Sequence, residues 1–214
     1  MSVEMLGQVG MQSGLTGKAV PSMSPYGSLH TKDEFAAAVE AGRCFAVCNQ
    51  VGVASQAGLS LTTPVLTLAN PAGSGVTGRL WYAGYVNEVV NGAAATAWLA
   101  VGTNTIAAAV TGTLTTTHRN LKLGSAGIVA GAQGNRIVPF LAATLPGVPV
   151  GLFILGVGLT GAITTVPNLD PSGRLFNGSV LIQPGDNISI QFSTATGALS
   201  TSCEYIWEEC NLVV

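Results

Sequence analysis

The segment Asn187-Ile188-Ser189-Ile190-Gln191-Phe192-Ser193 alternates polar and apolar residues without a fault. Alternation of period two is the pattern of a strand with one buried face, so Ile188, Ile190 and Phe192 are expected to face in and Ser189, Gln191 and Ser193 out. Ser179–Gln183 reads as the preceding strand, and Gln183-Pro184-Gly185-Asp186 as the turn between them. Proline presets φ at the first central turn position and glycine supplies positive φ at the second. Near the end, Cys203–Glu209 puts Tyr205 and Trp207 on one face and Glu204, Ile206 and Glu208 on the other.

Five more strands are expected at Cys44–Gln50, Pro64–Ala69, Arg79–Val89, Thr96–Val101 and Val150–Val157. Clusters rich in turn-forming residues separate them: 70–75, Asn91-Gly92 and 168–173. Thr103–Pro146 is less regular, with a threonine-rich piece at 111–117 and a glycine-rich one at 124–134. It reads as a long excursion able to carry an extra hairpin. One helix is expected near 32–41, opened by Thr31-Lys32-Asp33-Glu34 as a capping box and stopped by Gly42. Eight antiparallel strands with one short helix predict an all-β sandwich of the jelly-roll type. Residues 1–30 hold all four methionines, several glycines and no period, so they read as an extended N-terminal arm, and 31–214 as the jelly-roll domain.

Composition changes the picture through charge. Only 8% of the 214 residues are charged, against roughly 25% in an ordinary soluble domain. A compact chain of this mass exposes about 9,000 Å², and its 8 basic and 10 acidic residues leave one charge per roughly 500 Å². Such a surface favours association. The net charge of −2 carries no basic footprint, so no nucleic-acid partner is expected. The opening MSVEMLGQVGMQ lacks a basic region followed by an apolar run, so it does not read as a secretory signal. Cys44 and Cys48 lie about 13 Å apart on one strand and cannot bond to each other there. With Cys203 and Cys210 they are read as reduced thiols.

Candidate chemistry is sparse. Gly156–Gly161 spells G-x-G-x-x-G, but the residues after it are β-prone and end in Pro167, where a dinucleotide site needs a helix. His30 and His118 have no ligand-spaced neighbours, so no metal is expected. Neighbouring strand residues point to opposite faces, so Glu208 and Glu209 cannot form an acid–base pair. Glu208 is expected to be solvated or in a contact between subunits. Val148–Val166 is uncharged and long enough to span a bilayer, yet Pro149, Gly151, Gly156, Gly158 and Gly161 interrupt it. It reads as strand and loop, with no membrane partner. No catalytic residue and no cofactor are expected.

Asn49-Gln50-Val51-Gly52, the run Leu68-Ala69-Asn70-Pro71-Ala72-Gly73-Ser74-Gly75, Pro184-Gly185 and Trp207-Glu208-Glu209 together resemble small structural proteins of tailed bacteriophages. The similarity extends over residues 26–210, and the chain departs from the pattern after Glu209, where Cys210 and Asn211 replace a valine-proline finish. The resemblance implies a component of the virion, with jelly-roll capsid cement or decoration proteins as the nearest analogy.

The expected function is therefore non-enzymatic: a cement protein on the capsid exterior, stabilising the phage head at subunit junctions. Its expected partners are the major capsid protein and further copies of itself, as a homotrimer. Met5, Met11, Met23 and Tyr26 in the arm, with Trp81 and Trp98, are the candidate interface residues. Methionine fits irregular apolar surfaces with little strain. Two alternatives stand beside this. A fibre, spike or receptor-binding protein would need an exposed groove of aromatic and acidic residues, for which Trp81, Tyr82, Trp98 and Tyr205 are the aromatics to check. A small-ligand-binding or enzymatic jelly roll is the other.

Overall fold

The computed structural model describes residues 33–50, 52–53, 57–87, 95–103, 109–115, 118–123, 136–158, 172–193 and 201–211. The expected arm, with Met5, Met11, Met23 and Tyr26, lies outside them. So do His30, Thr31 and the whole glycine-rich piece at 124–134.

The strands are β1 (Cys44–Cys48), β2 (Thr67–Ala69), β3 (Val76–Asn87), β4 (Ala95–Thr103), β5 (Thr111–Leu114), β6 (Arg119–Asn120), β7 (Val138–Thr144), β8 (Val150–Gly158), β9 (Ser172–Ile182), β10 (Asp186–Phe192) and β11 (Thr201–Asn211). They form two antiparallel sheets ordered β6-β1-β11-β3-β9 and β5-β7-β2-β10-β4-β8. Without β5, β6 and β7, the order is β1-β11-β3-β9 facing β2-β10-β4-β8, which is the strand order of a jelly roll. These eight strands are the eight read from the sequence. The three others all fall in the irregular stretch 103–146 and extend both sheets on one side.

Alternation places the core where it was expected. Ile188, Ile190, Phe192, Tyr205 and Trp207 join Leu66, Leu68, Leu80 and Leu99 between the sheets. Trp207 stacks on Phe45 with ring centroids 5.6 Å apart, and Tyr85 meets Phe192 edge-on at 5.3 Å. The outward readings of Ser189 and Gln191 need correction. Both are buried, because the segment around Ser60 crosses the outer face of that sheet. The Gln191 amide donates to the Ser60 carbonyl at 3.0 Å and accepts from the Ser60 amide at 3.2 Å. A polar side chain is tolerated there because its partners come with the covering strap.

The helix α1 (Glu34–Glu40) is shorter than the capping box implied. Asp33 is its N-cap, with no side-chain capping bond, and Glu34 instead pairs with Arg79 on β3. A guanidinium on the sheet is a stronger partner for a carboxylate than a backbone amide one turn away. The stop is as expected. Gly42, at φ +73, lets its own amide reach the Val39 carbonyl and the Arg43 amide reach Ala38, a Schellman closure. Likewise Gly185, at φ +94, closes the β9–β10 turn, and the Asp186 amide donates to the Gln183 carbonyl at 2.9 Å.

Candidate functional site

The sequence elements that carried the phage resemblance are joints of the sandwich. The Asn49 amide donates to the Thr201 carbonyl at 2.9 Å, and its oxygen receives the Cys203 amide, fixing the start of β11. Asn70 is fully buried and donates to the carbonyls of Val76 at 2.9 Å and Ile182 at 2.8 Å, tying the β2–β3 turn to the end of β9. Glu209, also buried, accepts from the amides of Arg136 and Ile137 at 2.9 Å and from the Trp207 indole at 3.3 Å. These residues specify a fold, and none of them lines an open site.

Burial pushes the Glu209 carboxyl above its ordinary range, more than its backbone hydrogen bonds pull it down. A folded value above the unfolded one means that this contribution to stability is fully present below the ordinary glutamate value and is lost as pH rises through the shifted one. Wild type should therefore lose stability relative to Glu209→Gln as pH is raised from about 4. Urea midpoints of both proteins over a pH series check this. A difference that stays flat or widens in favour of wild type would contradict it.

Glu208 is neither solvated nor free for a contact between subunits. It is 1% exposed, 2.9 Å from Arg43 and 3.8 Å from Arg79. Arg79 also holds Glu34, so two carboxylates and two arginines bind α1 to the outer face of β3 and β11. Glu208 and Glu209 do point to opposite faces. All four cysteines are free, with Cys44 and Cys203 buried, Cys48 exposed and Cys210 half-buried. Burial, reinforced by the Glu208 charge, pushes the Cys44 thiol up to about 12 and Cys210 to about 11. Their thiolates are disfavoured, which makes them poor nucleophiles. His118 is buried, with Nδ1 3.1 Å from the Thr115 carbonyl and Nε2 without a partner. Among the described residues no group of three or more His, Cys, Asp or Glu could hold a metal ion. No helix among them is long and apolar enough to cross a membrane.

Two surface features remain, and they divide the candidate tryptophans. Trp98 is half-buried on β4 and pairs with Ile154 of the edge strand β8. Along β8, Val150, Leu152 and Ile154 are 67%, 47% and 60% exposed, a solvent-facing apolar stripe. Trp81 lies on the other sheet, at a bulge where β3 and β9 lose register, with its ring 5.0 Å from Phe35 of α1. There it borders an open groove of about 400 Å³ together with Tyr82, Ile206 and Leu175. Asp33, Asn177 and Glu204 supply its polar groups. The Tyr82 ring lies across Gly84 and Gly173, which face each other on β3 and β9, and a Cβ at either would overlap it. Its hydroxyl is hydrogen-bonded to Glu204, and burial, then that carboxylate, raises it above the usual tyrosine range. Tyr205, the fourth aromatic considered for such a groove, is fully buried, and its hydroxyl donates to the Leu66 carbonyl.

Comparison of the chain with protein-family models, with curated proteins and with solved structures finds no match.

Proposed function

We propose that this chain is a non-enzymatic virion protein that cements a phage capsid, associating with further copies of itself as a homotrimer and with the major capsid protein. The observation that carries this reading is the apolar stripe on β8. Val150, Leu152 and Ile154 project from a long edge strand beside the half-buried Trp98. No charged residue occurs between Arg136 and Asp170. Edge strands of free proteins are commonly blunted by charge or by extreme shortness. β9 has such a guard in Arg174, whose guanidinium lies 4.8 Å from the centre of the Phe153 ring. β8 has none.

Burying about 1,000 Å² per subunit, mostly apolar, yields roughly 25 kcal/mol gross, from which the entropy of association is subtracted. Contact area alone can do this work, without catalysis. Sedimentation of the wild-type chain at micromolar concentration should show a trimer. Leu152→Lys with Ile154→Lys should give a monomer whose circular dichroism is unchanged. Added to capsids stripped of this protein, wild type should fill its sites to saturation and raise the temperature at which the shell opens. The double variant should do neither. A wild-type monomer that leaves capsids bare would refute the reading.

The groove beside α1 favours a second reading, a fibre or receptor-binding protein, because it combines Trp81 and Tyr82 with Asp33 and Glu204. The capsid experiment separates the two: a fibre protein would not raise the stability of the shell.

A further inference from the structure

We propose that the groove between α1 and the outer face of β3, β9 and β11 binds a neutral saccharide. Its volume of about 400 Å³ falls within the range of small-molecule sites. A sugar ring has an apolar face of C–H groups and a polar rim of hydroxyls. It therefore needs an aromatic surface with hydrogen-bond acceptors placed around it. The groove offers that combination: Phe35, Trp81 and Tyr82 as the apolar surface, Asp33, Glu204 and Asn177 as the polar rim.

Two details indicate that the surface is built for this. Gly84 and Gly173 clear the sheet beneath Tyr82, since any side chain at either position would displace the ring. Asn177 stands on the β9 bulge at φ +50, followed by Gly178 at φ +75, and this brings its amide into the groove wall. A regular strand would have continued past Trp81. Left-handed backbone at a non-glycine residue is uncommon and is kept where the surroundings demand it.

Charge selects the class of sugar. Among the described residues, the lining includes two carboxylates and no lysine, arginine or histidine. Sialic acids, uronic acids and phosphorylated sugars would meet repulsion from Asp33 and Glu204. A neutral ring meets carboxylates that accept from its hydroxyls, in charge-assisted bonds stronger than neutral ones. The site stands apart from the β8 stripe, on the other sheet of the sandwich, so occupancy and self-association are separate properties.

The test uses the full chain, purified and without capsids, so its outcome is independent of the cement reading. Saturation-transfer NMR would be run with the methyl glycosides of glucose, galactose, mannose and N-acetylglucosamine, and with N-acetylneuraminic acid as the anionic counter-probe. At least one neutral glycoside should bind saturably, and the anionic sugar should not. Tyr82→Ala and Glu204→Gln should each weaken binding by about tenfold or more, as expected on losing a stacking surface or a hydrogen bond to a charged group. Leu114→Ala, on the edge strand β5 of the other sheet, should leave binding unchanged. Glu204→Gln preserves shape, so its loss of binding would not reflect misfolding. Absence of binding to every neutral glycoside would overturn the proposal, as would binding that both groove variants leave intact. Dissociation of the oligomer by Tyr82→Ala, with no glycoside bound, would assign the groove to a second copy of the chain instead.

Discussion

Trp207→Ala will destabilise the sandwich by about 3–5 kcal/mol, the cost of deleting a large aromatic side chain from a packed core. Trp207 is fully buried and stacks on Phe45, so truncation leaves a void that both sheets border. It also removes the indole that donates to Glu209, the carboxylate that anchors Arg136 and Ile137 at the start of β7. Domain stability is of order 5–15 kcal/mol, so this single change removes a large share of it. Urea denaturation followed by circular dichroism should show a midpoint shift with an unaltered slope. A loss below about 1 kcal/mol would mean that the core collapses around the gap, contrary to the close packing of Trp207 against Phe45.

Asn70→Asp will cost as much from a single changed atom. Asn70 Nδ2 donates to two main-chain carbonyls, Val76 and Ile182, at a position with no exposure. Aspartate would set a carboxylate oxygen against both carbonyls, leaving a buried charge uncompensated, a situation that costs about 3–5 kcal/mol. The variant can relieve this by holding a proton, so its carboxyl titrates above the ordinary aspartate value. Its stability should then fall as pH rises from about 4 through that raised value. Urea midpoints at acid and neutral pH test both parts. Asn70→Ala should be milder, about 1–3 kcal/mol, and independent of pH. Equal behaviour of the aspartate and alanine variants at neutral pH would show that water enters the turn.

The eight strands of the jelly roll were legible because their inward positions are apolar and their turns carry proline, glycine and asparagine. β5 to β7 were not. β5 is exposed at all four residues, so no inside–outside rhythm marks it. β6 is only two residues long. β7 contains Pro139, a residue that argues against an interior strand, yet it lies between β5 and β2. The buried Ser189 and Gln191 misled because burial by a strap is a tertiary event that leaves no mark on a strand's own alternation. The capping box misled because Glu34 found a cation that sequence proximity does not reveal.

The groove was half legible. Trp81 and Tyr82 stood out as aromatics, but Asp33, Asn177 and Glu204 are brought beside them only by the sheet order β11-β3-β9. The signal that could have found it is the pair Gly84 and Gly173. Glycines inside strands with no turn to make often mark a place where something lies close against the backbone.

The insertion between β4 and β8 spends its strands on one side of the molecule. It adds β6 next to β1, and β7 and β5 next to β2. The sheets end there in strands of two and four residues, too short to template a further strand. On the opposite side they end in β9 and β8, eleven and nine residues long. Among the described strands, the long edges able to pair main chain with a second copy therefore lie on one side of the molecule, an arrangement that disfavours growth from both sides at once.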